Sequence, residues 1–176
     1  MTHVYMDRTL RLRKALGAVR FLVASLISTF SLVAAMTAAA EVTLENSVQK
    51  VETFVDEAGD VQRRLIGAES VVPGDELRYT ITFTNISGEA AENVVITNPI
   101  ADSLIYVDGS AFGPGTEIQF SIDGGRTFAP REALTITEEG VVRAASVEDF
   151  THIRWVMQQE LAAGAQGVAR FAAVLE

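Results

Sequence analysis

His152 is the one histidine beyond residue 40 of this 176-residue chain, and it closes the run Glu148-Asp149-Phe150-Thr151-His152. An imidazole near a carboxylate and hydroxyl groups is the raw material of a Ser–His–Asp nucleophile system. That chemistry also needs a serine on a strained turn such as G-x-S-x-G, and the sequence has none. Asp149 and His152, three residues apart, therefore read as capping a turn ahead of the segment that carries Trp155. The densest acidic stretch is Asp56-Glu57-Ala58-Gly59-Asp60. Calcium takes about six to eight oxygens at set positions. This stretch lacks the D-x-[DN]-x-[DN]-G spacing and reads as an acidic hairpin tip. Asp75-Glu76 and Glu138-Glu139-Gly140 are turn-flanking charges, because neighbours on a strand face opposite ways and cannot share one substrate. The chain has no cysteine, which excludes thiol nucleophiles, thiolate metal sites and thiol redox chemistry. No catalytic, metal or cofactor-binding residue is assigned, and the chain is expected not to be an enzyme.

Three further residues invite chemistry. Lys50 is the only lysine beyond residue 40. A buried lysine in some surface domains crosslinks to an asparagine beside an acid, but the last expected strand contains no asparagine. Asn85-Ile86-Ser87 is a glycosylation sequon that here reads as a turn. Trp155, between Ile153 and Met157, reads as a core anchor rather than a stacking platform.

The elements that must carry these residues are strands. In Leu77-Arg-Tyr-Thr-Ile-Thr-Phe-Thr84 the apolar residues Leu77, Tyr79, Ile81 and Phe83 alternate with polar ones, the period of a half-buried strand. Val72-Pro73-Gly74-Asp75 before it is turn chemistry. The alternation recurs at Val94 and Ile96, at Ile118, Phe120 and Ile122, and at Ile153, Trp155 and Met157. It recurs again at Phe171, Ala173 and Leu175 after the turn residues Gly164 and Gly167. Leu104–Val107 is a short apolar strand. Residues 48–55 and 61–66 form two arms of a hairpin around the acidic tip. Only 147–150 and 158–163 suit brief helical turns. Short strands at near-regular spacing predict an all-β chain, an antiparallel immunoglobulin-like β-sandwich in one domain.

The N-terminus sets the expected compartment. Arg8, Arg11, Arg13, Lys14 and Arg20 precede an apolar run over residues 21–36, followed by Thr37-Ala38-Ala39-Ala40. Basic segment, apolar segment and small-residue site are the parts of a secretory signal. The run has 16 residues, broken by Ser25, Ser28, Thr29 and Ser31, and falls short of the roughly 20 that span a bilayer. Residues 1–40 are thus expected to be a cleaved signal peptide and 41–176 the mature domain. Membrane contact would come only through that segment, if it were not cleaved. Cleavage takes five of the 14 basic residues and one of the 23 acidic ones, which leaves nine against 22 and a formal net charge of −13. Such a domain repels phosphate backbones, so nucleic acid is not an expected partner. An exported, cysteine-free domain of this size fits a bacterial envelope, periplasmic or extracellular.

At Pro73-Gly-Asp-Glu-Leu-Arg-Tyr-Thr-Ile-Thr-Phe-Thr-Asn85, and on through Ala91-Glu-Asn-Val-Val-Ile-Thr-Asn-Pro99 to Leu104-Ile-Tyr-Val107, the chain resembles the DUF11 family. Lys50 fits the lysine that often precedes the family's first strand, so the resemblance runs from Lys50 to Gly109. It implies an immunoglobulin-like or fibronectin-like sandwich on exported or cell-surface prokaryotic proteins, often in tandem arrays. Here there is a single copy. The family has no common activity to transfer. A shorter stretch, Ser121-Ile-Asp123-Gly-Gly125-Arg-Thr127-Phe128, resembles the Asp-box of sialidases and other β-propellers, a hairpin device in which the aspartate accepts backbone N–H bonds. The expected function is an exported structural or protein-interaction module of the cell envelope, with an unknown protein partner. The alternative is a carbohydrate-binding or adhesin-type module.

Overall fold

The computed structural model describes Thr2–His3 and residues 41–176. The rest of residues 1–40, with the apolar run and the expected cut before Glu41, lies outside the described residues. The described residues are nearly all β and form two larger packed sheets and a separate two-stranded one, an arrangement compatible with the immunoglobulin-like sandwich read from the alternation. Sheet A has the order β1-β5-β10-β7, and sheet B the order β3-β2-β4-β11-β6. The strands are β1 (Thr2–His3), β2 (Val42–Val55), β3 (Val61–Gly67), β4 (Glu76–Asn85), β5 (Val94–Pro99) and β6 (Leu104–Tyr106). They continue with β7 (Thr116–Ser121), β8 (Thr135–Glu138), β9 (Val141–Ala144), β10 (His152–Met157) and β11 (Gln166–Leu175). β1 pairs in parallel with Val94 and Val95 of β5, whereas the other pairings are antiparallel.

Alternation decides what lies between the sheets. β4 turns Leu77, Ile81 and Phe83 inward, and β11 opposes them with Ala169, Phe171 and Ala173. Sheet A answers with Val94, Ile96, Ile153, Trp155 and Phe120. Small residues on β11 leave room for large ones around them. Tyr79 stacks on Phe171 at 4.8 Å between centroids, and Trp155 tilts against the same ring at 6.2 Å. Beneath the short strand β6, Phe120 and Phe150 stack at 4.5 Å, and Tyr106 meets Phe120 edge-on at 5.2 Å. Trp155 is fully buried, as expected of a core anchor, and its Nε1 has no hydrogen-bond partner. Each such ring removes some 150–250 Å² from water, which places most of the driving force in this layer.

Four sequence expectations need correction. The first arm begins at Val42, not Val48, because Val42–Val51 pairs with β4 along ten residues despite the polar run Glu45-Asn46-Ser47. Backbone pairing holds that run extended where side-chain pattern gives no signal. Residues 158–163 are not helical: they bend around Leu161, which is buried and forms an isolated bridge to Ala91. Gly167 lies inside β11 opposite Phe83 rather than in the turn, which Gly164 forms at φ 71°. Residues 135–144 form a hairpin, β8–β9, where only turn charges were expected. Its tip is Glu139 and Gly140, both at positive φ (51° and 83°), as a type I′ turn demands. The other expected helical turn is a 3-10 turn over Val147–Asp149, with Ser146 and Asp149 in a capping box.

Candidate functional site

The residues with the most chemical promise meet at one end of sheet A. β10 ends its pairing with His152 opposite Ser121 of β7, and the Asp-box loop folds back so that Phe120 bridges Ala129. Asp123 sits at the centre of that loop. It accepts from Ser121 Oγ (2.7 Å), from the backbone N–H groups of Arg126 and Thr127 (3.0 Å each) and from Thr127 Oγ1 (2.6 Å). Gly125 N–H donates to Ser121 Oγ at 3.0 Å, and a Cβ at Gly125 would lie 3.1 Å from the His152 ring. Phe128 then covers the outer side, edge-on to His152, with the Arg154 guanidinium 3.4 Å from its ring centroid. These bonds make a closed hairpin, as the Asp-box resemblance implies.

This geometry bears directly on nucleophilic chemistry. Ser121 is fully buried and gives its proton to Asp123, not to His152. The His152 Nδ1 contact is Thr151 Oγ1 at 3.2 Å. Asp149, the carboxylate nearest in sequence, turns away to Arg143 and Ser146 (2.6 and 2.8 Å). A working base must reach the proton it removes, and here serine, histidine and aspartate point to different partners. Asp149 does cap the turn before β10, as read from its position; His152 takes no part in the cap.

Charge makes this end of the sheet sensitive to acid. Burial pushes the His152 imidazole below its usual range, with Arg154 adding to the effect and Asp123 opposing it. The fold therefore favours the neutral ring. The stability this contributes is present above the unfolded-state value, about pH 6.5, and is lost as pH falls below it. Asp123 is held well below the carboxylate range, chiefly by the Thr127 hydroxyl, and Asp149 chiefly by Arg143. Their contribution is present above about pH 4 and lost as pH falls from there. Melting temperature should thus drop in two stages on acidification, and His152→Gln should remove the first stage alone. A single stage near pH 4 in the parent protein would contradict the His152 assignment.

The other candidates are occupied locally. Asp56 accepts from the backbone N–H of Ala58 and Asp60 (3.0 and 2.9 Å) and from Gln62 Nε2 (3.1 Å), so its carboxylate closes the acidic hairpin tip. Lys50 Nζ lies 2.7 Å from Asp75 Oδ2 in a half-buried ion pair, and no asparagine hydrogen-bonds to it among the described residues. Asn85 of the sequon is fully buried; its Nδ2 donates to the carbonyls of Glu89, Leu161 and Ala162, and its Oδ1 accepts from Ser87 N–H and Oγ. An amide so engaged is structural. Three phenylalanines lie under arginines. They are Phe128, Phe112 (Arg170, 4.0 Å) and Phe54 (Arg64, 4.9 Å).

Sheet edges offer a different kind of site. β3 pairs only with β2, leaving its outer backbone groups without a strand partner among the described residues. The hairpin arm Glu52–Val55 and Val61–Arg64 also runs past the end of β4. It exposes Val55 (65%) and Val61 (69%), with Leu65 half-exposed beside them. No protein-family model, no curated protein and no solved structure matches the chain.

Proposed function

We propose that the chain is an exported, non-enzymatic module of the bacterial envelope that works by contacting another protein through the β3 edge. The observation that carries the contact is that edge: seven residues of strand with an unpaired outer side, and exposed valines at its projecting end. An open edge is a template for a partner strand, since main-chain bonds supply affinity and alternate side chains supply selectivity. The basic and apolar segments before Glu41 and the DUF11 resemblance support the exported location. Ser121, His152 and Asp149, engaged elsewhere, support a role without turnover. A carbohydrate-binding role ranks behind it, because arginines occupy the ring faces on which a sugar would stack.

One experiment tests both halves. The full chain is expressed in a bacterial host with a photo-crosslinking residue at Gln62 on β3, or at Glu117 on β7 as control. The expected result is a product beginning at Glu41 in the envelope fraction and a discrete adduct from position 62 alone. An uncleaved cytosolic chain would overturn the location. Absence of an adduct, or equal adducts from both positions, would overturn the edge.

A further inference from the structure

Arg78 on β4 and Arg170 on β11 alternate with the buried Leu77, Ala169 and Phe171, so both project from the outer face of sheet B. In the register, Arg170 stands opposite Thr80 and Arg78 opposite Ala172, which makes the two arginines diagonal neighbours. Diagonal positions on a sheet lie about 7–8 Å apart, within joint reach of one small anion for two side chains of this length. With Arg63, Glu76, Asp108 and Phe112 they line a groove of about 370 Å³. Glu76 is bound by Arg63, and Asp108 by Arg131. Phe112 lies 4.0 Å from the Arg170 guanidinium, whose N–H groups make no hydrogen bond among the described residues. Arg78 and Arg170 have no carboxylate partner among the described residues. Acids outnumber bases by 22 to nine over residues 41–176, yet two like charges stand here side by side and unneutralised. A bound anion would remove their mutual repulsion.

We propose that this groove binds a carboxylate of an acidic peptide segment on a partner protein, gripped by Arg78 and Arg170. A guanidinium fork matches a carboxylate with two parallel N–H···O bonds. Glu76 and Asp108 at the rim can accept the backbone N–H groups that flank a carboxylate in a peptide, contacts that inorganic phosphate cannot offer. The proposal depends neither on export nor on the β3 edge, so it stands or falls apart from them.

Its test is an NMR titration of the arginine Nε–H resonances of the full chain. The probes are an acetylated triglutamate peptide, the triglutamine counterpart and inorganic phosphate. Triglutamate should shift the Arg78 and Arg170 signals saturably at millimolar concentration, and Arg78→Gln should weaken binding about tenfold, as loss of a charge-assisted pair does. Arg170→Gln serves as the second variant should Arg78→Gln lower the melting temperature. Triglutamine and phosphate should leave both signals in place. No shift with triglutamate, binding unchanged in the variants, or phosphate binding as tightly as triglutamate would each overturn the proposal.

Discussion

Asn85→Ala should cost this fold roughly 2–5 kcal/mol, because each buried polar group left without a partner costs about 1–3 kcal/mol. Asn85 is fully buried at the end of β4, and its amide ties the loop that follows β4 to the Leu161-Ala162 segment, far away in sequence. Nδ2 donates at 2.7 Å to Glu89, at 2.8 Å to Leu161 and at 3.2 Å to Ala162. Oδ1 accepts from Ser87 N–H at 3.0 Å and from its hydroxyl at 2.6 Å. Truncation leaves the Ser87 donors and the three carbonyls without the amide that pairs them. Asn85→Asp keeps the shape but turns a donor into an anion facing three carbonyls, so it should destabilise more than alanine does. Urea unfolding is the measurement, with a lower midpoint and an unchanged slope expected. A cost below about 0.5 kcal/mol, the range of ordinary surface substitutions, would refute the role given to this side chain.

Much of the sandwich was legible because alternation is a two-residue signal that a buried face enforces. β4, β5, β7, β10 and the later part of β11 all announce themselves by apolar residues at every second position. The errors fall where backbone rather than side chains decides. Glu45-Asn46-Ser47 has no apolar face, yet β4 pairs with it throughout. Residues 158–163 have a composition that tolerates a turn of helix, and the bridge between Ala91 and Leu161 fixes them in a bent, non-helical path. The β8–β9 hairpin carried a usable cue, Glu139-Gly140 between alternating residues, which positive φ at both positions now explains. Candidate sites were harder to read because proximity in space is not proximity in sequence. His152 was weighed against Asp149 three residues away, while its actual neighbours are Asp123, Gly125 and Phe128 on a loop folded back from β7. The groove joins residues 63, 78 and 170 through strand register alone, and no linear motif marks it.

Gly167→Ala should be destabilising by about 1–3 kcal/mol, the cost of overpacking a filled core. The sign is the informative part. In a strand interior alanine ordinarily gains about 0.5–1 kcal/mol over glycine, which loses more freedom on folding. Here a Cβ at position 167 would lie 2.2 Å from Cε2 and Cζ of the Phe83 ring directly across the β4–β11 pair. Phe83 is only 1% exposed and belongs to the central apolar cluster, so the ring cannot swing aside without displacing its neighbours. Glycine is therefore the space into which Phe83 packs, which is why a residue that reads as a turn sits in mid-strand. Phe83→Leu alone loses packing and leaves a void above Gly167, whereas the same change with Gly167→Ala lets the new methyl fill part of that void. A double-mutant cycle by denaturant unfolding should yield a favourable coupling within the 0.5–3 kcal/mol usual for residues in contact. Additive costs would mean that the two positions do not share a space, and a stabilising Gly167→Ala would mean that the ring moves freely.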